Sequence, residues 1–332
     1  MSSANSGSLE SLLLRNLNSQ DDLARVAALQ LMETCLCKSI EAEKLLLVGE
    51  KGKHHKTDSA ASEEAFVYPQ PGSSENTAKK PSIAQELHNR LDQLKSLLRL
   101  CGQLELASLE TTLDDPTYAP YLASAKARLA RSPTFRAQLN QNSFVKSESD
   151  TSTPISHTLF NMLNQFLVNS ADCNLALSNA LTSTSASLLC PSSYLSLDTK
   201  DVNALPAIFR QLADKILDLR DRVDGFDRHL QERRESLNLV DALADALGEG
   251  DFSSTSDPQS VSILAVQRLH SASDPFAKHY ADTAAIQVKV DGEEVSLSTL
   301  LTNVVLLSEW GKELVAVVHA RTAVGLDMIS TD

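Results

Sequence analysis

The sequence predicts an all-α protein, an elongated helical bundle or coiled coil with one small β-hairpin near its C-terminus. Leucine-rich apolar positions recur at three- and four-residue steps through much of the 332 residues. Aromatic residues make up only 5% of the chain, with 11 Gly and 11 Pro, whereas an all-β fold needs frequent turn residues and β-formers. From Leu205 to Leu247 the apolar period becomes 3.5 residues, which is typical of a coiled-coil seam.

Residues 8–48 are predicted to form an N-terminal helix, either one long helix or two with a bend. Apolar residues such as Leu9, Leu13 and Leu17 follow a helical period, and no Gly or Pro interrupts the segment. Residues 49–81 contain Gly, Pro and mixed charges but few large apolar side chains. Such a segment cannot bury enough apolar surface to offset its chain entropy, so we predict a disordered linker.

Residues 82–181 are predicted to be a helical segment that opens with the capping box Ser82–Gln85. Within it, the polar stretch 141–154 is expected to be a linker, followed by a helix over 155–181. Residues 182–203 are rich in Ser and Thr and contain a proline, which predicts another linker.

Residues 204–247 are predicted to form a coiled-coil or bundle helix. Twelve of the 13 a and d positions between Leu205 and Leu247 are apolar, and Arg233 at a d position is the exception. The seam can pack inside the chain or against a partner chain. A parallel homodimer would place Lys215 beside Arg220, so intramolecular packing or a hetero-oligomer is favoured over it.

Residues 259–325 are predicted to be a C-terminal helical segment that contains a hairpin at 286–297. Val288 and Val290 alternate with polar residues before Asp291-Gly292, a dipeptide that favours a type I′ turn. The helix that follows, 298–322, is apolar around most of its circumference. We therefore expect it to be the hub of its domain or a main interface, with Trp310 as an interface anchor or an ordinary core residue.

Charge and composition exclude several classes of function. The net charge of −13 argues against an unassisted nucleic-acid binder, so no nucleic-acid partner is predicted. Without 18 consecutive apolar residues, no membrane insertion is predicted. Five scattered cysteines favour free thiols in an intracellular compartment, with the cytoplasm favoured over the nucleus.

No phosphate-binding loop, nucleophile elbow or zinc-protease motif occurs. We predict no enzyme and assign no catalytic, cofactor-binding or metal residues. The expected function is that of a non-enzymatic helical subunit or adaptor in an intracellular multiprotein complex, binding other helical proteins through coiled-coil or bundle faces. The interface candidates are Phe209, Ile216, Leu219, Val223, Leu230, Leu237 and Trp310.

Two alternatives remain from the sequence. The first is a phosphoregulated signalling adaptor that acts through the Ser/Thr-rich linkers 141–154 and 182–199 and the dipeptide Ser132-Pro133. The second is an enzyme whose site assembles from distant residues without a recognisable motif.

Overall fold

The computed structural model describes residues 8–48, 83–106, 112–141, 153–198, 200–248 and 282–324, and these form a helical bundle with one hairpin. The predicted all-α fold with a small hairpin is therefore confirmed. The predicted linker 49–81 and most of the stretches 141–154 and 248–281 lie outside the described residues. The elements are α1 (Leu9–Leu17), α2 (Asp22–Lys38), α3 (Ile40–Leu47), α4 (Ile83–Leu104), α5 (Ala119–Arg131), α6 (Pro133–Gln141), α7 (Pro154–Asn164), α8 (Ala171–Ala186), a 3-10 turn (Ser192–Leu195), α9 (Leu205–Arg222), α10 (Phe226–Gly248), β1 (Gln287–Val290), β2 (Glu293–Ser296) and α11 (Leu297–Ala323).

The N-terminal segment forms three helices where the sequence predicts one or two. Side chains of Ser8, Asp21 and Ser39 each accept a hydrogen bond from a backbone N–H at the start of the next helix. Capping of this kind stabilises a new helix start and so favours a break in the preceding helix. The segment folds back onto the bundle, because α2 packs on α8 and α3 packs on α6 and α7.

The segment from 155 to 203 differs most from the sequence-based expectation. The predicted helix 155–181 is divided into α7 and α8, and α8 continues to Ala186, inside the predicted linker. Ser and Thr side chains at 182–187 are buried, not solvated. Their small volume lets α2, α5 and α11 approach α8 closely, and hydroxyls such as that of Thr184 donate to carbonyls one turn back, here Ala180 at 2.8 Å.

Buried asparagines hold the loop between α7 and α8. The Asn169 amide donates to a carbonyl of α7, and the Asn174 amide donates to Phe166 O at 2.6 Å. From α11, the Asn303 amide donates to the carbonyls of Leu167 and Asn169 at 3.2 and 2.9 Å. These bonds satisfy loop carbonyls that would otherwise be buried without partners.

The predicted continuous helix 204–247 is broken into α9 and α10 by an elbow at 223–225. Gly225 lies at φ +66°, a left-handed conformation that glycine adopts without steric penalty. Within the described residues, both halves of the seam pack inside the chain: α9 contacts α4, α7 and α11, and α10 contacts α11. Arg233, the exception in the heptad pattern, is buried and donates to Thr302 and Ser298 of α11 at 2.9 and 2.8 Å.

Helix α11 is the hub of the bundle. It packs on α4, α5, α8, α9, α10 and β2, as its apolar circumference predicts. Trp310 is only 2% exposed, stacks on Phe166 and meets the Phe209 ring edge to face. The next residue, Gly311, allows this close packing, since a Cβ there would lie 2.5 Å from the Phe209 ring and 2.7 Å from Cys101 Sγ.

The hairpin forms with the predicted turn. Val290 pairs with Glu293, and Asp291 and Gly292 both have positive φ, at 50° and 96°, as a type I′ turn requires. Ser296 ends β2 and also caps α11 by accepting from Thr299 N at 3.1 Å. The hairpin is thus anchored directly to the hub helix.

Candidate functional site

The hairpin and the α9–α10 elbow enclose a cleft that we call the hairpin groove. It consists of two open cavities, of about 310 Å³ near the hairpin turn and about 450 Å³ near the hairpin base. The α9–α10 side is lined by Asp214, Lys215, Asp218, Leu219, Arg222, Val223, Asp224, Gly225, Arg228 and His229; the hairpin side is lined by Ile286, Lys289, Val290, Asp291 and Leu297.

Within the described residues, strand β1 presents to this groove a backbone edge that is not paired with another strand. Leu297 N donates to Ile286 O at 2.8 Å, so residues 286, 288 and 290 direct their backbone groups toward β2. The alternation of an antiparallel pair then directs the N–H and C=O groups of Gln287 and Lys289 the other way. The Arg222 guanidinium marks this direction, because Nη2 donates to Lys289 O at 3.5 Å.

The floor of the groove is apolar and its rim is charged. Leu219, Val290 and Leu297 are buried, Val223 is half-buried, and Ile286 is 42% exposed. On the rim, Lys215 Nζ lies 2.6 Å from Asp291 Oδ2, and Arg222 Nη1 lies 3.0 Å from Asp218 Oδ2. Lys289 is exposed and makes no ion pair within the described residues, so it is the rim cation available to a ligand.

A second polar cluster lies inside the bundle around Glu105, at the end of α4. Its carboxylate pairs with Lys312 and with Arg234 (3.4 Å) and accepts from the Ser308 hydroxyl at 2.8 Å. Burial raises the pKa of Glu105, but the two cations outweigh it and hold the pKa below its ordinary value. A carboxylate tied to three side chains from α10 and α11 joins helices and is poorly suited to proton transfer.

Two further glutamates, the buried Glu43 and the half-buried Glu313, have pKa values above the ordinary value. Burial raises the pKa of Glu313, which accepts from Thr182 Oγ1 at 3.1 Å. Burial likewise raises the pKa of Glu43, whose carboxylate accepts from Ser132 Oγ at 3.0 Å and Thr134 N at 3.1 Å. Neither glutamate lines the hairpin groove, so we assign both to the packing of the bundle.

An exposed apolar stripe lies on α2 at helical spacing. It comprises Leu23, Ala27 and Leu31, of which Leu23 is 79% and Leu31 40% exposed. On the neighbouring helix α1, Leu12 is 42% exposed. We call Leu23, Ala27 and Leu31 the α2 stripe; residues four apart occupy one face of a helix.

The structure places most of the predicted interface residues in the chain's own core. Phe209, Ile216, Leu219, Leu230 and Trp310 are buried, whereas Val223 and Leu237 are half-buried. Only Leu219 and Val223 are brought together at a candidate site, the floor of the hairpin groove. Sequence reasoning missed Arg222, Ile286 and Lys289, although the predicted hairpin implies a strand with a free edge.

Most of the described Ser and Thr residues at the predicted phosphorylation positions are inaccessible to a kinase. Ser132 is 6% exposed and its hydroxyl donates to Glu43, while Ser and Thr residues at 182–187 are buried. Ser192 and Ser193 are exposed, but they lie in the ordered 3-10 turn. Residues 142–152 lie outside the described residues.

Within the described ranges, no cluster of three or more His, Cys, Asp or Glu side chains is arranged to hold a metal ion. The five cysteines are free thiols, three of them buried and Cys37 exposed. Among the described helices, none has the length and apolar character needed to cross a bilayer.

Comparison with known proteins yields no relative. No protein-family model matches the chain, and no curated protein and no solved structure is significantly similar to it. The functional argument therefore depends on this chain's own surface.

Proposed function

We propose that this protein is a non-enzymatic helical subunit or adaptor of a multiprotein complex, and that it binds a partner protein through the α2 stripe. The observation that carries the proposal is the 79% exposure of Leu23, aligned with Leu31 on one face of α2. Exposed apolar side chains grouped on one helix face are typical of partner-binding sites.

The heptad seam no longer supports this role in its predicted form. Its residues on α9 and on the first turns of α10 contact other helices of the same chain, so they are not available to a partner without unfolding of the bundle. Among the described helices, α2 carries the most exposed leucine, Leu23, together with Leu31 on the same face. The predicted class of function is therefore retained, but the proposed contact surface is the α2 stripe instead of the heptad seam.

The occupant we propose for the α2 stripe is an amphipathic helix of the partner. Leucines at positions 23 and 31 are spaced as the anchors of helix-to-helix packing. Exposed Lys38 lies at the C-terminal end of α2, and Asp21, whose side chain caps the helix by accepting from Leu23 N, lies at the other end, so the two ends of the helix differ in charge. A partner helix with cations at the Leu23 end and carboxylates at the Lys38 end would be complementary.

The test is affinity purification of the tagged full-length protein with quantification of stoichiometric partners. Leu23→Asp should remove a partner that the wild-type protein retains, because it places a charge in the centre of an apolar contact. Leu87→Asp on α4 is the matched control, since Leu87 is also a partly exposed leucine, at 37%. Both variants are first checked for monodispersity and unchanged helicity.

Equal recovery of every partner by the wild-type protein and by Leu23→Asp would contradict the proposal. A partner lost from Leu23→Asp and from Leu87→Asp alike would also contradict it, because the loss would then not be specific to the α2 stripe.

A further inference from the structure

We propose that the hairpin groove binds an extended peptide segment of another protein, which adds to β1 as a third strand. This inference goes beyond the function proposed above and uses a different surface. It is carried by the outward backbone edge of Gln287 and Lys289, the cavities beside it and the apolar floor beneath it. Strand addition to an exposed sheet edge is a recurrent mode of peptide recognition.

The groove-facing backbone groups of β1 are those that a further strand would pair with. A two-stranded sheet leaves the outer groups of both strands unpaired, and such groups pair readily with another extended chain. At the β1 edge, the one partner of Lys289 O among the described residues is Arg222, at a long 3.5 Å, and a peptide N–H can replace it at normal length. Arg222 retains its ion pair with Asp218 at 3.0 Å when it releases this carbonyl.

The length of β1 sets how many peptide residues can pair with it. At about 3.3 Å per residue, the stretch from Ile286 to Val290 extends about 13 Å, which accommodates four or five residues of a paired strand. The two cavities lie along this stretch, one beside Lys289 and Val290 and the other beside Ile286. The groove therefore has free space beside both ends of β1, and a bound strand would displace the Lys215–Asp291 ion pair that crosses the groove at the hairpin turn.

The side chains of β1 and of the groove floor determine which peptide residues fit. Val288 and Val290 face inward, whereas Gln287 and Lys289 face solvent. A peptide residue opposite Lys289 shares its solvent face, so the residues that flank it point toward Leu219 and Val223. The peptide should then be apolar at the flanking positions and acidic at the central position, where it meets the Lys289 ammonium.

The existing hairpin supports the acidic preference. Lys289 already lies opposite Glu294 across the β1–β2 pair. An acidic residue on the other side of Lys289 would extend an alternating series of charges across three strands. Opposite charges that face each other across strands stabilise a sheet, and like charges destabilise it.

The experiment titrates the full-length protein into a fluorescein-labelled peptide, Ser-Thr-Val-Glu-Val-Thr-Ser, blocked at both ends, and measures fluorescence anisotropy. Saturable binding is expected. N-methylation of the central Glu amide should weaken it about tenfold, because one strand hydrogen bond is lost. The variant Lys289→Glu should weaken binding about three- to tenfold and should prefer a peptide with Lys in place of Glu.

Lys200→Glu is the matched control, because Lys200 is exposed and lies outside the groove. It should bind the Glu peptide as the wild-type protein does. Because Lys289→Glu places a like charge opposite Glu294, the Cα chemical shifts of residues 287–296 are compared with those of the wild-type protein to show that the hairpin remains folded, in addition to the melting temperatures of both variants.

Testing Lys289→Glu with both the Glu peptide and the Lys peptide distinguishes recognition at β1 from a general effect of charge. No saturable binding by the wild-type protein would overturn the proposal, as would binding that ignores both N-methylation and Lys289→Glu. Self-association of the wild-type protein that Lys289→Glu abolishes would also overturn it, since the occupant would then be a second copy of the chain. None of these outcomes depends on the α2 stripe.

Discussion

The α8–α11 interior and the hairpin groove are both rich in polar groups, but the interior groups bond to each other whereas some of the groove groups are accessible to a ligand. In the interior, Asn303 donates to two loop carbonyls and Arg321 Nη1 donates to the carbonyls of Ser185 and Ser187. In the groove, the backbone edge of β1 and the Lys289 ammonium remain open to a ligand. Polar composition alone therefore does not locate a binding site. Donors and acceptors that are still accessible to a ligand locate it.

The largest expected effect tests whether the seam belongs to the interior. Ile216→Asp places a carboxylate at a position with 0% exposure, and a cost of about 3–5 kcal/mol is expected for a buried charge without a partner. Urea denaturation followed by circular dichroism measures it. Asp218→Ala, which removes only an exposed pair with Arg222, should cost less than about 1 kcal/mol. Similar costs for the two variants would show that α9 does not pack as described.

The next effect tests the close packing of α11. Gly311→Ala adds a Cβ 2.5 Å from the Phe209 ring, and we expect a loss of about 1–3 kcal/mol despite the better helix propensity of alanine. Thermal unfolding should show the lower stability. Gly311→Ala combined with Phe209→Leu should recover part of it, because the smaller side chain leaves room. A stabilised Gly311→Ala protein would contradict the packing of Trp310, Gly311 and Phe209.

A third prediction separates two half-buried glutamates, Glu105 and Glu313, by the pH dependence of their contributions to stability. The pKa of Glu105 is lowered in the folded protein, so its carboxylate stabilises the fold at neutral pH, and this contribution is lost as the pH falls through the folded pKa. Glu105→Gln should therefore cost about 1–3 kcal/mol at neutral pH and less near pH 4. Urea titrations at several pH values measure the difference.

Glu313 should behave in the opposite way. Its pKa is raised, so the folded state binds the proton more tightly and is destabilised as the pH rises above the ordinary pKa of a glutamic acid. Glu313→Gln removes that cost, so it should be neutral or stabilising at alkaline pH and without effect in acid. A loss of stability at alkaline pH from Glu313→Gln equal to that from Glu105→Gln would contradict the assignment.

The smallest effect concerns the elbow beside the groove. Gly225→Ala forces an alanine into a left-handed conformation and should cost about 1–2 kcal/mol, whereas Gly225→Asn should cost less. Differential scanning calorimetry can resolve the two variants. A stabilised Gly225→Ala protein would indicate that α9 and α10 form one continuous helix, as the heptad pattern predicts.

Some parts of this fold follow from the sequence because a local signal and the tertiary packing agree. The Asp291-Gly292 turn sets the hairpin, and the apolar circumference of α11 requires neighbours on several sides. Both features are determined by short stretches of chain, so they can be recognised without knowledge of the rest.

Other parts depend on packing that the sequence does not display. The heptad pattern continues through Gly225 to Phe226 and Leu230, and a single glycine costs a helix only about 1 kcal/mol, so the elbow was not predicted. Ser and Thr at 182–187 resemble a solvated linker in composition, yet their small size suits the centre of a bundle. The hairpin groove forms where residues 214–229 lie beside residues 286–297. No local sequence pattern predicts that contact between distant segments.

Amide hydrogen exchange of β1, measured by NMR on the deuterated full-length protein, tests most directly whether the groove-facing edge of this strand is open to a ligand. The account predicts slow exchange at Val288 and Val290, whose N–H groups face β2, and fast exchange at Gln287 and Lys289, whose N–H groups face the groove. Addition of the Glu peptide should slow exchange at Lys289. Slow exchange at Lys289 in the free protein, equal to that at Val288, would show that this edge is already paired and would contradict the account.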